Sequence, residues 1–555
     1  MASPGKKPSL KIVAQGLGSD KNARETLEAL ESKELVLAFA GPIGSGLRTV
    51  VETFEAQLTE INYDVVVIKI SELMSKISLT SQSGVQIPDE RGMDRYEALQ
   101  RHGNELRNAH GNDFLAYLCL REISVDRAAR HPDQDVGSVT PSRVCYLIDQ
   151  IKHPEEIELL RAVYGSNFFL IGALCGFPQR KQNLRHEGVA PTDAEILMDR
   201  DRKQAEKYGQ KLEKTLQNAD FFIRNARSNS KQLSAPVRRF LSLMHGKVGV
   251  TPTIQEQGMY AAYSAALGSA CLSRQVGAAI QDKRGHLISV GCNDVPRGGG
   301  GLYREGDEKA DHRCVHLGGG QCFNHREKDA LRNEIQKISA AVAKKCLDSI
   351  NAESGKDGPG IDSVGISRKL GVLIAAELRD ESRVKDILEF SRSVHAEMDA
   401  LIGLSRETSG SSQDGVLYTT TYPCHNCARH IVAAGIRAVY FIEPYEKSLA
   451  VELHGDAIDH GLDEEPSLHE WERHSRLKSR KVAFLHFEGV APRRFVSLFN
   501  DAGERKDERT GKAIAFVPRD ASKRSRVHLE GYIEIESRVV QLLEKKFVDG
   551  MIFNA

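Results

Sequence analysis

The sequence of 555 residues predicts an α/β protein with two domains, an N-terminal parallel sheet and a C-terminal three-layer α/β/α domain. The chain is longer than one hydrophobic core usually serves, so at least two domains are expected. Short apolar strands alternate with amphipathic helices from residue 34 onward, and the alternation resumes near residue 259. This alternation is typical of parallel sheets that are covered by helices.

The first domain is predicted over residues 34–232, after an N-terminal extension over residues 1–33. ELVLAFA predicts its first strand, GPIGSG a turn, and TVVETFEAQL the helix that follows. Gly41, Gly44 and Gly46 lie in that turn, where backbone N–H groups at the start of a helix are able to cradle phosphate. The domain is therefore predicted to have a P-loop-type parallel sheet, whose later strands are VCYLIDQ, NFFLIGAL and ADFFIRN.

The loop departs from the phosphate-binding pattern G-x-x-x-x-G-K-[ST]. Leu47 stands where the lysine belongs, and Arg48 and Thr49 come one residue late. Asp149 ends a predicted strand, where it is able either to serve as a Walker-B-like acid or to cap the next helix. We expect this domain to bind a nucleotide and not to transfer a phosphoryl group, because the cation that follows the moving charge is displaced.

A linker is predicted over residues 233–258, the second domain over 259–463 and a C-terminal extension over 464–555. The second domain begins with a small-residue helix, GMYAAYSAALGSACLS, and a hairpin formed by VGAAI and HLISVG. A polar and then charged insertion occupies about 303–390. Beyond it, a helix, a strand, a second helix and a second strand are predicted in HAEMDALIGL, VLYTTT, CHNCARHIVAAG and RAVYFIE.

Three side chains of metal-binding type lie at the starts of these two predicted helices: His395, Cys424 and Cys427. The cysteines are three residues apart, so on a helix they share one face and reach one ion. They follow Pro423 at a predicted helix start, where the helix dipole and free N–H groups favour a thiolate. Three protein ligands leave a fourth position open, which is the pattern of a catalytic zinc. A structural zinc, or two thiols in a core, is the simpler alternative.

Glu397 follows the histidine by two positions, where it is able to act on water without ligating the metal. The combined pattern, H-x-E followed by P-C-x-x-C, is the signature of zinc-dependent nucleobase deaminases. In that chemistry the zinc ion provides a nucleophile near neutral pH, and the glutamate moves protons between water, ring nitrogen and departing ammonia. The sequence thus predicts one catalytic zinc per chain and Glu397 as the catalytic residue.

The second domain resembles the deoxycytidylate deaminases of the cytidine deaminase superfamily over roughly residues 259–460. The resemblance rests on SRQVGAAI (273–280), GCNDVPRG (291–298) and the two metal motifs. From about residue 34, the whole chain resembles bacterial antiphage dCTP/dCMP deaminases that carry an N-terminal P-loop kinase-like domain. The supporting segments are GPIGSG, LIDQIKHPEEIELLR, RSVHAEMDAL, IEPYEKSLAVELHGDAI and RRFVSLFNDAGERKDERTGKA.

The resemblance implies a cytidine-deaminase-like fold and the conversion of dCTP and dCMP to dUTP and dUMP, which depletes deoxycytidine nucleotides during phage replication. It also implies a homo-oligomer, and some relatives are held inactive by a small RNA. By resemblance Asn293 reads the sugar, although an asparagine at a strand end equally suits a turn. Lys447 and Ser448 are candidates for contacting phosphate, although a lysine in such a loop is more often solvated.

A second cluster of metal-binding residue types lies in the insertion, at His312, Cys314, Cys322 and His325. Phage and bacterial deoxycytidylate deaminases often carry an extra structural zinc near this region, so the resemblance implies a second zinc here. The spacing matches no standard zinc finger, and Cys or His residues in a polar loop are common without a metal. A structural zinc and a metal-free loop therefore both stay open.

Composition argues against several other classes of protein. Lys plus Arg and Asp plus Glu number 76 each, and aromatic residues are 6% of the chain. The basic, aromatic channel of a polynucleotide deaminase, which is the first rival, is therefore not evident. The second rival is a P-loop nucleotide-binding regulator with an inactive deaminase fold, against which the intact metal motifs argue.

The sequence also predicts where the protein works. The N-terminus has no apolar secretory segment, and no apolar stretch is long enough to span a membrane. The ten cysteines form no disulfide-like framework, which favours a reducing compartment. We therefore expect a cytoplasmic protein with no membrane contact.

Overall fold

The computed structural model of the chain divides into two units, which are described in turn. Unit 1 comprises Met1–Val250 and Val496–Ala555, and unit 2 comprises Thr251–Phe495. Most of the predicted N-terminal and C-terminal extensions lies outside the described residues. The described residues are 32–79, 87–132, 143–202, 209–225, 230–353, 363–381, 390–406, 410–443, 448–459 and 481–500, with the shorter pieces 506, 510, 516–519, 521, 536, 540 and 551–553.

Unit 1 alternates strands and helices along the chain, as the sequence predicts. Five strands pair in parallel in the order β6-β5-β1-β4-β2. The strands are β1 (Leu35–Ala40), β2 (Asp64–Lys69), β3 (Ile77–Leu79), β4 (Val144–Asp149), β5 (Phe168–Leu174) and β6 (Phe221–Arg224). The helices are α1 (Leu47–Glu60), α2 (Ile70–Ser75), α3 (Met93–His110), α4 (Phe114–Arg130), α5 (Pro154–Tyr164), α6 (Phe177–His186), α7 (Pro191–Arg202), α8 (Leu212–Leu216) and α9 (Ser230–Met244).

The centre of this sheet is a continuous apolar core. Every residue of β1 and of β5 is buried, and β4 is buried up to its last residue. Unbroken burial of this kind is typical of parallel strands with helices on both faces. The prediction of an α/β class is therefore confirmed for this unit, whereas its P-loop identity stays a prediction.

Unit 2 contains a mixed sheet of six strands in the order β11-β12-β10-β9-β7-β8. β7 and β8 form the predicted antiparallel hairpin, and β9 to β12 pair in parallel. The six strands of this sheet are β7 (Gly277–Gln281), β8 (Leu287–Cys292), β9 (Val416–Thr421), β10 (Ala438–Glu443), β11 (Ile458–Asp459) and β12 (Val482–His486). A two-residue strand, β13 (Gly489–Val490), follows β12 along the chain. The helices are α10 (Ile254–Ala266), α11 (Phe323–Glu353), α12 (Ser363–Glu381), α13 (Ala396–Arg406), α14 (His425–Ala433) and α15 (Ala450–His454), with short 3-10 turns at Glu305–Ala310 and Leu317–Gly319.

Two glycines show how closely helices approach both faces of this sheet. A Cβ on Gly277 would lie 1.9 Å from the Ala262 carbonyl oxygen of α10, and one on Gly291 would lie 2.5 Å from the Ala396 carbonyl oxygen of α13. Gly291 pairs with Ala278, the neighbour of Gly277, so the two glycines face opposite sides of the sheet. The unit is therefore the three-layer α/β/α arrangement that the sequence predicts.

The chain continues beyond the second sheet into α16 (Pro492–Phe499), and a last short strand, β14 (Met551–Phe553), pairs antiparallel with β3. The predicted insertion contains α11 and α12, which pack on each other. None of the described helices combines the length and the apolar character that a membrane crossing requires.

Candidate active site

The three predicted metal ligands come together at the starts of two helices. His395 directly precedes α13, whereas Cys424 and Cys427 lie at the start of α14. His395 Nδ1 is 3.3 Å from Cys424 Sγ and 3.4 Å from Cys427 Sγ. Among the residues that the structure describes, this is the one group of three or more His, Cys, Asp or Glu side chains whose ligand atoms all lie within 4.8 Å of one another.

These donor atoms fit a zinc ion. Zn–S bonds of about 2.3 Å and Zn–N bonds of about 2.0 Å place sulfur and nitrogen ligands roughly 3.6 Å apart in a tetrahedron. The two observed nitrogen–sulfur separations are within 0.3 Å of that value. Both sulfurs also lie at the positive end of the α14 dipole, which stabilises thiolates.

The electrostatics of the cluster favour one thiolate beside a protonated imidazole. A hydrogen bond from Cys427, helped by His395, lowers the pKa of Cys424 to about 4. The contact with Cys424 in turn raises the pKa of Cys427, and it raises the pKa of His395 to about 9. The thiolate is the form of cysteine that binds metal, and the lowered pKa of Cys424 favours this form near neutral pH.

Glu397 lies in the first turn of α13, next to the cluster. Its side chain is 4% exposed, and its Oε2 is 3.5 Å from Cys427 Sγ. Burial raises the pKa of its carboxyl group. The carboxyl group does not belong to the group of mutually close ligand atoms, so it lies beside the cluster as a separate functional group.

Asn293 is buried, and its side chain is hydrogen-bonded to the backbone of residues 274 and 276. Its Nδ2 donates to the Arg274 carbonyl oxygen at 2.8 Å, and its Oδ1 accepts from the Val276 amide at 2.6 Å. Both hydrogen bonds join the side chain to nearby backbone, as expected if this asparagine stabilises a turn. A sugar contact would have to use the remaining hydrogen or lone pair of the amide, so the sugar-reading role stays a prediction.

Of the two residues predicted to contact phosphate, the structure describes Ser448 only. Ser448 Oγ donates to the Pro423 carbonyl oxygen at 2.8 Å, so this serine supports the segment that leads into the first cysteine. Lys447 lies outside the described residues. Neither phosphate contact is tested by these observations.

Arg274 is a residue at the site that pattern reasoning did not single out. It is exposed, and its guanidinium donates to Thr421 Oγ1 at 2.5 Å and to Glu443 Oε2 at 3.0 Å. Its charge acts to lower the pKa of His395, against the larger effects that raise it. The segment SRQVGAAI carried the signal, but the position of this cation relative to the histidine depends on the folded sheet.

The four candidate ligands of a second zinc do not converge on one point. Cys322 Sγ lies 3.5 Å from Ser273 Oγ, and His325 Nε2 lies 3.4 Å from Asp329 Oδ2. No metal-binding group among the described residues includes any of His312, Cys314, Cys322 or His325. The structure therefore gives no support to the second zinc, because these side chains form no group of three or more mutually close ligand atoms.

The loop between β1 and α1 contains two glycines with left-handed backbone, and its role as a phosphate cradle stays a prediction. Gly44 and Gly46 have φ angles of +77° and +66°, which glycine adopts without a steric penalty. Ser45 Oγ is buried in this loop and has no hydrogen-bond partner in the described part of the chain. Arg48 pairs with Glu52 on the exposed side of α1, so its side chain is directed away from the loop.

Charged side chains from later elements contact the same loop. The Ile43 amide donates to Asp201 Oδ2 at 2.6 Å. Lys152 Nζ donates to Asp201 Oδ1 at 2.6 Å and to the Gly41 carbonyl oxygen at 3.1 Å. Asp201 is 1% exposed. Leu47 occupies the usual lysine position, but Lys152 brings a cation to the loop from elsewhere in the chain. One amide of the loop, that of Ile43, already donates to the carboxylate of Asp201.

Of the last two residues predicted for nucleotide binding, Thr49 follows the loop along the chain, and Asp149 pairs with Phe39 near the end of β1. Thr49 belongs to the first turn of α1, where its carbonyl oxygen accepts a hydrogen bond from Thr53 Oγ1 at 2.7 Å. Asp149 ends β4, and burial raises the pKa of its carboxyl group against the opposing charges of Lys152 and Lys69. Neither observation tests nucleotide binding, which stays a prediction.

Comparison with known proteins identifies the part of the chain that carries the cluster. Residues 252–443 match the family model of the cytidine and deoxycytidylate deaminase zinc-binding region. The chain is 27% identical over 190 residues to the deoxycytidylate deaminase of Enterobacteria phage T2, covering 34% of this chain and 78% of that protein. It is 25% identical over 194 residues to the deoxycytidylate deaminase of Enterobacteria phage T4, covering 34% of this chain and 76% of that protein.

Two further similarities are shorter or weaker. ComE operon protein 2 of Bacillus subtilis (strain 168) is 42% identical over 57 residues, which are 10% of this chain and 29% of that protein. The crystal structure of dCMP deaminase from the cyanophage S-TIM5 in complex with dCMP and dUMP is 16% identical and has a TM-score of 0.22, over 43% of this chain and 98% of that one. On the family match and the phage relatives, the C-terminal region of this chain contains a domain of the cytidine and deoxycytidylate deaminase family, a class of hydrolytic deaminases.

Proposed function

We propose that this chain is a zinc-dependent deaminase that converts dCTP and dCMP to dUTP and dUMP. The observation that carries the proposal is a buried glutamate, Glu397, beside three converging donor atoms from His395, Cys424 and Cys427. The match of residues 252–443 to a deaminase zinc-binding region supports the same reaction class.

Hydrolytic deamination adds water to C4 of cytosine, breaks the C4–N4 bond and releases ammonia. A zinc ion held by the histidine and the two cysteines would supply the Lewis acidity that makes water nucleophilic near neutral pH. Glu397 takes a proton from the attacking water and delivers it to ring N3. The same carboxyl group then moves the hydroxyl proton of the adduct to N4, and ammonia leaves as the C4 carbonyl forms.

Two observations support a free nucleotide as the substrate. The chain has equal numbers of basic and acidic residues, which does not favour binding along a polynucleotide. Arg274 is exposed at the edge of the cluster and is paired with Glu443, and a phosphate of a single nucleotide would compete with that carboxylate for its guanidinium. The phage relatives are deoxycytidylate deaminases, and Asn293 is our candidate for contacting the deoxyribose.

The test is ammonia release by the purified, zinc-loaded chain from dCTP, dCMP, CTP, cytidine and a cytosine-containing single-stranded oligonucleotide. We expect the two deoxynucleotides to react fastest. If the oligonucleotide reacts faster than dCTP in direct competition, the chain is a polynucleotide deaminase instead. If none of the five reacts, the deaminase fold is inactive and a regulatory role replaces the proposal.

For unit 1 we propose nucleotide binding at the loop Gly41–Gly46 that regulates deamination, without phosphoryl transfer. The left-handed glycines and the nearby ammonium of Lys152 support phosphate binding. Leu47 at the usual lysine position and the outward direction of Arg48 argue against catalysis of transfer. We propose residues 34–232 as the bounds of this nucleotide-binding domain and residues 259–463 as those of the deaminase domain.

We also propose that the enzyme is a cytoplasmic homo-oligomer that depletes deoxycytidine nucleotides in phage-infected cells. The resemblance to antiphage deaminases supports this role and adds a small RNA as a candidate regulator. The measurement is the dCTP pool of infected cells that carry either the parent chain or Glu397→Ala. An equal fall of dCTP in both would remove the antiphage role and leave the enzymatic proposal intact.

A further inference from the structure

The two helices of the insertion, α11 and α12, form an antiparallel hairpin that packs in an unusual way. The face of α12 that lies against α11 consists of small residues, Ser367, Gly371 and Ala375, all of them buried. A Cβ on Gly371 would lie 2.8 Å from Ala340 Cβ, so the two helices approach almost to backbone contact. Small residues at a spacing of four permit such an approach and leave no room for large side chains between the helices.

The large apolar side chains of α12 are consequently exposed. In helical projection, Leu373 and Ile366 lie within about 40° of the line opposite Gly371. Leu373 is 61% exposed and Ile366 is 39% exposed. All the large apolar residues of the helix are exposed, namely Val364, Ile366, Leu370, Val372, Leu373, Ile374 and Leu378. This is the reverse of a surface helix, which normally buries its large apolar residues and exposes its polar ones.

The exposed apolar surface is concentrated on this hairpin. Of the 25 exposed large hydrophobic residues in the described chain, ten lie on α11 and α12, with Ile338, Val342 and Ile350 on α11. No other described element packs extensively on either helix. A contiguous apolar surface of this kind marks an interaction site, because it costs free energy for as long as it faces water.

We propose that the outward face of α12 is the interface between two copies of this chain, with the two α12 helices antiparallel about Leu373. Two charged residues on this face identify the partner. Lys369 comes four residues before Leu373 and Glu377 four residues after it, and both are exposed. About a twofold axis at Leu373, Lys369 faces Glu377 of the partner subunit, and the same pair forms again on the other side.

These two charged residues select the antiparallel register. A parallel arrangement would instead place like charges opposite each other. Two hairpins joined in this way form an antiparallel four-helix bundle with a closed, isologous interface, and Leu373 contacts its own copy.

The first experiment measures the mass of the full, zinc-loaded chain by light scattering after gel filtration. Leu373→Glu is expected to halve the mass of the parent, whereas Leu267→Glu, at an equally exposed leucine of 62%, leaves it unchanged. A Leu373→Glu chain with the mass of the parent overturns the proposal, as does a parent chain that is monomeric. In the second case the surface binds a different protein.

The second experiment tests the register directly. Either single variant, Lys369→Glu or Glu377→Lys, places like charges opposite one another in both symmetry-related pairs and should dissociate the dimer at micromolar concentration. The double variant, which carries both substitutions, restores opposite charges and should restore the dimer. Leu373→Cys should give a disulfide-linked dimer under mild oxidation, with the parent chain as the control for its exposed Cys346. Failure of the double swap to restore the mass overturns the antiparallel register. Zinc content and deamination are measured on the same samples, so failure of the interface is distinguishable from failure of the proposed enzyme.

Discussion

At the scale of single residues, the deaminase proposal depends most on Glu397, because no other described carboxyl group lies against the cysteine cluster. Glu397→Gln keeps the size of the side chain but cannot carry a proton between water, N3 and N4. We expect turnover to fall by about a thousandfold or more while zinc content stays at the parent value. Ammonia release and metal analysis measure the two effects separately.

The matched control for this variant is Glu452→Gln, an exposed glutamate on another helix of unit 2. It should leave both turnover and zinc content unchanged. Turnover of Glu397→Gln within a few-fold of the parent would contradict the assignment of this glutamate. Loss of zinc from the variant would instead mean that Glu397 is a ligand.

A second prediction concerns the ligands themselves. Cys427→Ala should lose both zinc and activity, since two remaining donors hold an open site poorly. Cys346→Ala, which removes an exposed cysteine, should affect neither. Removal of zinc from the parent by a chelator should lower the melting temperature, and zinc should restore it, because metal binding contributes to folding.

The same metal analysis decides the second zinc. One ion per chain is expected from the cluster that the structure brings together. Two ions per chain, falling to one in Cys322→Ala, would show that the separate positions of the four candidate side chains are not those of the metal-bound protein.

The metal cluster was predictable at the residue scale for a physical reason. Cys424 and Cys427 share a helix face by local geometry, and the H-x-E pattern is equally local. Arg274 was not predictable from any pattern of spacing, because its position beside His395 depends on strand pairing between distant segments. For Asn293 a turn was one of the two predicted roles, whereas its two hydrogen-bond partners depend on the pairing of β7 and β8.

At the scale of elements, the loop between β1 and α1 differs from a free phosphate cradle because it already holds a carboxylate. Asp201, from the end of α7, accepts from the Ile43 amide and from Lys152. The sequence pattern GPIGSG predicted the loop, whereas an ion pair between residues 49 positions apart depends on how α7 folds over it. An incoming phosphate would have to compete with this carboxylate for the same donors.

The prediction is that Asp201→Asn binds a nucleoside triphosphate more tightly than the parent, by about tenfold. The reason is that a hydrogen bond to a charged group, worth about 1.5–3 kcal/mol, no longer has to be displaced. Isothermal titration calorimetry measures the affinity, and Glu195→Gln, an exposed position on the same helix, is the matched control. The variant should also be less stable than the parent without nucleotide, since Lys152 loses its partner.

Two outcomes would contradict this interpretation. Equal affinity of Asp201→Asn and the parent would mean that the carboxylate does not occupy the phosphate position. Absence of nucleotide binding in both proteins, with the fold intact, would mean that the loop is purely structural and would remove the regulatory proposal for unit 1.

At the scale of the whole molecule, the chain leaves unit 1 after Val250 and returns to it from Val496 onward. The returning segment contributes hydrogen-bond acceptors to Arg143, through the carbonyl oxygens of Pro518 and Arg519 at 2.8 Å each. Its last described strand, β14, pairs with β3. No local pattern predicts this return, because the contacts join residues more than 350 positions apart.

The deepest of these returning contacts is made by Glu536, which is 1% exposed. It pairs with Arg127, and it accepts a hydrogen bond from the Tyr164 hydroxyl at 2.8 Å. Arg127 is also paired with Glu34 at 2.9 Å, so one buried guanidinium lies between two carboxylates that are about 500 positions apart in the chain.

Glu536→Ala should therefore destabilise unit 1 by on the order of 3 kcal/mol, because breaking a buried ion pair leaves charge and polar groups without compensation. Denaturant unfolding of the full chain measures this loss, and Glu52→Ala, an exposed glutamate paired with Arg48, should cost less than about 1 kcal/mol. Unchanged stability of Glu536→Ala would mean that the returning segment does not hold unit 1 together, and zinc content, a property of unit 2, should be the same in all three proteins.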